Sequence, residues 1–455
     1  MNKNSILKKY WGYDSFRGNQ SEAIEALINK ENIVYIAKTW DGKSICYQIP
    51  AMLAHWLTII VSPLKSLMKD QVESLEKLWI PATFLNSDLD QEEYSTRFWK
   101  LMNWDYKMLY VSPEKLSWQK FINYLKEIPG WISYFIIDEF DTVDEYGSSW
   151  FRPEYLELGD LRDELEESQD DPITIWIFTA TATKKIELLV TEMMNIEENY
   201  ELFRWLLIWD NLFFEVKKYE NKDEKDNYLY TYLKEIDKRL GKNNGSWIIF
   251  CTTTKDVDNI YYKLKDKFDI TRYHWKMTSK MKDSSFKKFM TWKSKLIVCT
   301  NAFGRWVDKK NIRYILHYWI PWNISSYLQE IWRWWRDWWK YNAITLFSNQ
   351  DIVKRRFLAW RNKEQNEELN NLVNLLENTE QCRVEKLHRY FWLSYYEDCI
   401  QCDVCSTEHF IKIWKISEFT VKKAPRKKRK VTRTKKRKVV KRKMVKRRTI
   451  KRKKR

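Results

Sequence analysis

The stretch Ala37-Lys38-Thr39-Trp40-Asp41-Gly42-Lys43-Ser44 decides how this chain is read. Before it stands the apolar run Ile33-Val34-Tyr35-Ile36, which predicts a buried strand, and after it Ile45-Cys46-Tyr47-Gln48 opens a helix. A strand, a tight loop ending Gly-Lys-Ser and a helix make the phosphate-binding loop of a nucleotide hydrolase. In that arrangement the backbone of Thr39, Trp40, Asp41 and Gly42 and the helix N-terminus cradle the phosphates. Lys43 reaches the β and γ oxygens, and Ser44 holds Mg²⁺. Trp40 breaks the pattern, because close approach of backbone to phosphate calls for glycine there.

The anomaly at Trp40 extends to the whole composition. Average usage would give about 32 glycines in a chain of this length. There are 9, beside 26 tryptophans. A glycine deficit that nearly matches the tryptophan inventory is what results when a code using UGA for glycine is read as if UGA meant tryptophan. Many of these tryptophans are therefore expected to be glycine in the organism.

With 455 residues, 44% of them hydrophobic, the chain is long enough for two or three globular domains. No apolar run approaches the roughly 20 residues of a membrane span. The N-terminus MNKNSILKKYWGY lacks the apolar core and cleavage site of a signal peptide. Seven cysteines, an odd number without a secretory signal, argue for a reducing cytosol and against a disulfide framework. The net charge of +19 hides an asymmetry: residues 422–455 hold 23 Lys/Arg and no acid, which leaves 58 basic against 62 acidic residues elsewhere, a net of −4. Such a tail cannot bury a core and is expected to be disordered until it meets a polyanion.

Beyond the phosphate loop, short apolar strands are expected at 58–61, 108–111, 134–137 (ending on Asp138-Glu139) and 173–178 (ending on TATAT, 179–183). A second series follows at 247–251, 296–299 and 314–317, then the run QEIWRWWRDWWK at 329–340. Strands alternating with helical stretches predict parallel α/β sheets, with functional residues just past the strand ends. A charged helical stretch near 350–380 leads to a cysteine cluster.

Cys46, Cys251 and Cys299 lie in or beside expected buried elements and read as core thiols. Cys382, Cys399, Cys402 and Cys405 form C-x16-C-x2-C-x2-C, a spacing that suits a closed, structural, tetrahedral Zn²⁺ site. His388 lies inside the cluster and reads as a surface residue rather than a ligand.

Taken in order, YDSFRGNQ, TWDGKSICYQIP, VSPLKSLMKDQV, YVSPEKL, IIDEFD, FRPEY, TATAT, NAFGRWVDK, QEIWRWWRD and CR…CIQCDVC resemble the RecQ-type DNA helicases of superfamily 2 over about residues 5–405. That family reads TGGGKS, FGMGVDK and QEIGRAGRDG at three of these places. Trp40, Trp306, Trp332, Trp335 and Trp338 fall on its glycines, as do Trp79, Trp247 and Trp392, whereas Trp11 stands where an aromatic is expected.

The resemblance implies roles residue by residue. Gln20 reads adenine, an amide being able to pair with both a donor and an acceptor of the base, and Arg17 and Asp308 belong to the nucleotide-binding set. Asp138 holds Mg²⁺ through water while Glu139 polarises the attacking water. Gln329, Arg333 and Arg336 come from the second domain, the arginines reaching the γ-phosphate, where an arginine finger is worth about 10³–10⁵ in rate. Tyr146, Phe151 and Arg152 form an aromatic-rich DNA-sensing loop, and stacking there could contribute roughly 1–3 kcal/mol per base, though a pair of core aromatics is an equal reading. The chain departs from the family at Phe140-Asp141, where Ala-His is usual, and in the length of that loop.

The expectation is α/β: two RecA-like parallel-sheet domains at 1–205 and 206–345, a helical zinc-binding module at 346–421 and a disordered basic tail at 422–455. ATP, Mg²⁺ and Zn²⁺ are the expected cofactors, and single-stranded and duplex DNA the partners, with no membrane. The expected location is the cytoplasm, at the nucleoid. The activity implied is ATP-driven translocation on single-stranded DNA, 3′→5′, with duplex unwinding in repair and recombination. About 16 residues separate Cys405 from the tail, too few for the winged-helix domain many relatives carry. Two rivals stand beside this reading: a non-catalytic DNA-binding relative whose tryptophans are real, and an RNA-directed superfamily 2 helicase.

Overall fold

The computed structural model describes residues 2–406 apart from 38–41, 64, 129, 141–152, 180–182, 198, 205–210, 241–244, 302, 304–308, 310, 333–339, 360–361 and 394–398. Two all-parallel sheets carry it. The first holds β1 (Ile33–Ile36), β2 (Leu57–Val61), β3 (Ala82–Leu85), β4 (Met108–Val111), β5 (Ile132–Ile137), β6 (Thr174–Thr179) and β7 (Glu201–Arg204) in the order β3-β4-β2-β5-β6-β1-β7. The second holds β8 (Leu212–Tyr219), β9 (Ser246–Phe250), β10 (Ile270–Tyr273), β11 (Leu296–Cys299), β12 (Ile312–His317) and β13 (Tyr341–Ser348) in the order β10-β11-β9-β12-β13-β8.

Central strands such as IVYI, LTIIV and LIVC are buried along their whole length because helices cover both faces of a parallel sheet. Five further strands were not anticipated: β3, β7, β8, β10 and β13. Four of them lie at sheet edges (β3, β7, β8, β10), where polar residues break the apolar run; β7, for instance, reads ELFR with its first two residues exposed. β13 is fully buried, yet YNAITLFS carries enough Asn, Thr and Ser to hide it from a hydrophobicity reading. It also runs to Ser348, past the boundary expected at 345.

Two apolar clusters cover the faces of the first sheet, one built on Val34, Ile59 and Phe135, the other on Tyr35, Ile60 and Trp176. The second sheet shares a single cluster with the C-terminal helices: Leu369, Leu372, Leu376 and Leu387 pack with Phe214, Tyr327 and Trp332. The helical module is thus built into the second lobe's core. Among the described residues no helix is long and apolar enough to cross a membrane.

Candidate nucleotide site and metal centre

Gly42 stands at the N-cap of the helix Lys43–Leu53 with φ +72°, a left-handed turn that glycine adopts without penalty. A Cβ there would lie 2.9 Å from Gln20 Nε2. The Gln20 amide donates to the Gly42 carbonyl at 3.4 Å, while its Oε1 accepts from the Arg17 N–H at 2.9 Å. The expected adenine reader and the last residue of the phosphate loop are therefore in contact. The Arg17 side chain is exposed and lies over the Tyr13 ring at 5.6 Å. Ser44 is half-buried in the first helical turn.

Lys43 is buried, and its Nζ lies 3.8 Å from Glu139 Oε1. Asp138 follows directly on β5, its N–H donating to the Val61 carbonyl and extending the β2–β5 ladder. Its Oδ1 accepts from the Glu139 N–H at 3.0 Å and its Oδ2 from the Tyr47 hydroxyl at 3.4 Å. Burial pushes the Asp138 carboxyl up to about 6, the Glu139 charge adding to this and Lys43 opposing it. Glu139 has φ +56°, a left-handed backbone that costs energy in a non-glycine residue and here turns the side chain back toward Lys43. Two carboxylates and a lysine, brought together from segments far apart in sequence, form an anion-and-cation site of the kind phosphoryl transfer needs.

Gln329 is buried on the helix Ile324–Trp332 of the second lobe. Its neighbour Glu330 lies 3.0 Å from His317 at the end of β12. Thr39, Trp40, Asp41, Tyr146, Phe151, Arg152, Asp308, Arg333 and Arg336 lie outside the described residues, as do Trp306, Trp335, Trp338 and the tail 422–455. Phe140 is buried edge-on against Tyr155, with ring centroids 5.8 Å apart. Tyr47, Gln48 and Tyr110 have no role in the sequence reading although all three lie in quoted motifs, the first two where a helix is expected to open and the third in an expected apolar strand.

The four C-terminal cysteines converge, with one Sγ from each of Cys382, Cys399, Cys402 and Cys405 within 4.8 Å of the others. Cys399 and Cys402 stand 3.8 Å apart, close to the roughly 3.8 Å edge of a tetrahedron with 2.3 Å zinc–sulfur bonds. Backbone N–H groups of Glu385 and Gln401 donate to Cys382 and Cys399, as is usual around thiolate ligands. These residues fit Zn²⁺. Cys46, Cys251 and Cys299 are buried, and burial pushes the Cys251 and Cys299 thiols up, as suits inert core residues. His388 is not a surface residue: it is buried, and its Nδ1 pairs with the Val384 carbonyl at 2.8 Å inside its own helix.

A phosphate-loop lobe followed by a second parallel-sheet lobe is the framework of the helicase class of nucleotide hydrolases. Family models agree: residues 17–189 match the DEAD/DEAH box helicase domain, 224–337 the helicase conserved C-terminal domain, and 349–406 the RecQ zinc-binding domain. The chain is 34% identical to the ATP-dependent DNA helicase RecQ of Bacillus subtilis, covering 88% of this chain and 66% of that protein. It is 33% identical to the protein of the same name from Synechocystis, covering 75% and 70%. In fold it is similar to the DEAD-box helicase Mss116 bound to single-stranded RNA, with a TM-score of 0.56 at 18% identity, covering 82% of this chain and 83% of that one. This chain belongs to the RecQ family of helicases. It spans about two thirds of the length of the two RecQ relatives.

Proposed function

We propose that the protein is an ATP-dependent DNA helicase that translocates on single-stranded DNA and unwinds duplex, in the cytoplasm at the nucleoid. The observation that carries this reading is the meeting of Lys43, Asp138 and Glu139 at the carboxyl ends of the first sheet, in a chain of this family. In it Lys43 binds the β and γ phosphates and Gln20 and Arg17 hold the base, while the backbone of 39–42 wraps the phosphates. Ser44 and Asp138 would hold Mg²⁺, which supplies charge neutralisation at the phosphates when bound. Glu139 orients and polarises water. Gln329, Arg333 and Arg336 complete the site from the second lobe together with Asp308, and Tyr146, Phe151 and Arg152 meet single-stranded DNA. We divide the chain into lobes at 1–205 and 206 to the end of β13, a zinc module to 421 and a basic tail beyond. The 3′→5′ direction and a role in repair and recombination follow the family resemblance.

This reading takes glycine as the native residue at Trp40, Trp306, Trp332, Trp335 and Trp338. Trp332 is buried with its indole N–H unpartnered among the described residues, as is that of Trp247. An unpartnered buried donor costs about 1–3 kcal/mol. The test is ATP hydrolysis by the full chain carrying W40G, W306G, W332G, W335G and W338G, with single-stranded DNA or RNA added. Stimulation by DNA, abolished by Lys43→Ala, is the expected result. Stimulation by RNA alone would make this an RNA-directed helicase. Gene codons reading UGG at all five positions, with no hydrolysis, would make it a non-catalytic DNA-binding relative.

A further inference from the structure

Beneath the nucleotide site runs a chain of polar side chains that none of the roles above uses. The Tyr47 hydroxyl donates to Asp138 Oδ2 at 3.4 Å, and its other neighbour is the Tyr110 hydroxyl. Tyr110 in turn accepts from Gln48 Nε2 at 3.3 Å, and the same amide nitrogen donates to Gln71 Oε1 at 3.0 Å. Tyr47, Tyr110 and Gln48 are all buried, in or beside the apolar cluster of Tyr35, Ile60 and Trp176. The donors can be assigned without conflict: both Gln48 amide hydrogens are used, the Tyr110 hydrogen is left to face Tyr47, and Tyr47 donates to the carboxylate.

The two ends of this chain lie in different places. Asp138 follows β5 and adjoins Glu139, whose carboxylate faces Lys43. Gln71 is half-buried on the helix Lys65–Lys77, which leaves β2 through Ser62-Pro63. Tyr110 sits on β4, which leaves through Ser112-Pro113. β2 and β4 are neighbours, and the Ser62 N–H donates to the Val111 carbonyl at 2.9 Å, so the two Ser-Pro exits lie side by side. That edge also presents the exposed Lys65 and Lys69.

We propose that Tyr47, Tyr110, Gln48 and Gln71 are positioning residues that relay the placement of the 65–77 helix to the Asp138 carboxylate. The proposal rests on the helicase reading and takes the edge that carries Lys65 and Lys69 as one that meets nucleic acid. A shift of the helix moves the Gln71 carbonyl. The Gln48 amide follows or loses a partner, the two hydroxyls reorient, and Asp138 Oδ2 is turned toward or away from the phosphates. Buried polar chains can respond as a unit, because each member left unpaired in a low dielectric is costly. The test measures the coupling itself.

The full chain with the five Trp→Gly changes above is compared with its Tyr110→Phe, Gln71→Leu and Tyr47→Phe variants. The readouts are the ratio of hydrolysis with and without an oligo-dT single strand, KM for ATP, Kd for the oligonucleotide and Tm. The expected result is a stimulation ratio reduced about fivefold or more in each variant. For Tyr110→Phe and Gln71→Leu, basal turnover, KM and Kd should stay within about twofold of the parent. The Tyr110→Phe/Gln71→Leu double variant should lose no more than the worse single, because one broken link already severs the chain. If a tyrosine variant melts early, Gln71→Leu gives the same readout from a half-buried position. Variants stimulated as fully as the parent would overturn the relay and leave the helicase reading standing. A parent that no nucleic acid stimulates would overturn both.

Discussion

Four tryptophans have a backbone that L side chains avoid: Trp79, Trp104, Trp292 and Trp392 have φ between +58° and +66°, and they are half of the described non-glycine residues with positive φ. Each follows the end of a helix. At Trp79, Trp104 and Trp392 the paired bonds of a Schellman turn are present, as in Trp79 N–H to the Glu76 carbonyl and Ile80 N–H to the Leu75 carbonyl. That turn usually places glycine at the left-handed residue. Trp79 is 91% and Trp392 74% exposed, so packing does not offset the strain. Trp79 and Trp392 stand on family glycines, and the backbone now adds Trp104 and Trp292. Replacing any of the four by glycine should stabilise the protein by about 0.5–1 kcal/mol in denaturant unfolding, whereas Trp176→Gly in the core should cost about 3 kcal/mol or more. Destabilisation at all four turn positions would remove the glycine reading for them. Asp138 supplies a second residue-level prediction. Its folded pKa, about 6, lies above the ordinary carboxylate value, so the folded state binds the extra proton. In metal-free protein this contribution therefore disfavours folding as pH rises from about 4 to 6. Asp138→Asn should flatten that part of the stability curve, and Mg²⁺·ATP binding to the parent should weaken as pH falls through 6. A curve that Asp138→Asn leaves unchanged would show the carboxyl titrating normally.

The zinc loop and strand β8 work as one element. β8 lies at the edge of the second sheet, and the loop covers its unpaired backbone: the Phe214 N–H donates to the Gln401 carbonyl at 2.8 Å, and the Asp403 N–H to the Phe214 carbonyl at 3.0 Å. Asp403 also accepts from the Val216 N–H at 3.0 Å and from the Arg383 guanidinium at 2.6 Å. Arg383 in turn caps the Leu375 carbonyl of the preceding helix. An exposed parallel edge invites association with other chains, so the loop protects the lobe as well as itself. Cys402→Ser or chelation should destabilise the second lobe by several kcal/mol and promote aggregation, because structural zinc binding is folding energy. One zinc per chain by metal analysis is the companion expectation. A metal-free preparation that melts at the same temperature would rule the site out. None of the β8 pairing was legible in the sequence, where the Cys spacing pointed to zinc and no role fell to Arg383 or Asp403.

For the whole molecule, charge is divided between a body near neutrality and the segment 422–455 with its 23 basic residues. If about 8 of these meet duplex phosphates, log affinity should fall with log salt at a slope near −7. Deleting the segment should flatten the slope and leave basal ATP hydrolysis intact; an unchanged slope would remove the tail from DNA binding. The lobes also meet the zinc module differently. The second shares its core with it, while the first touches it through Arg204, which pairs with buried Glu187 and donates to the Phe391 carbonyl at 3.0 Å. By itself the sequence determined the parallel α/β class, the phosphate loop, the acidic pair and the four cysteines. Those depend on local runs and spacings, which a buried strand or a chelate imposes directly on neighbouring residues. The tertiary structure alone decided the strand order and the edge strands, the merging of the helical module with the second core, the burial of His388 and the hydroxyl chain from Asp138 to Gln71. Each of these joins residues distant in sequence, and side chains that read as ordinary core or surface acquire a partner only when packing brings them together.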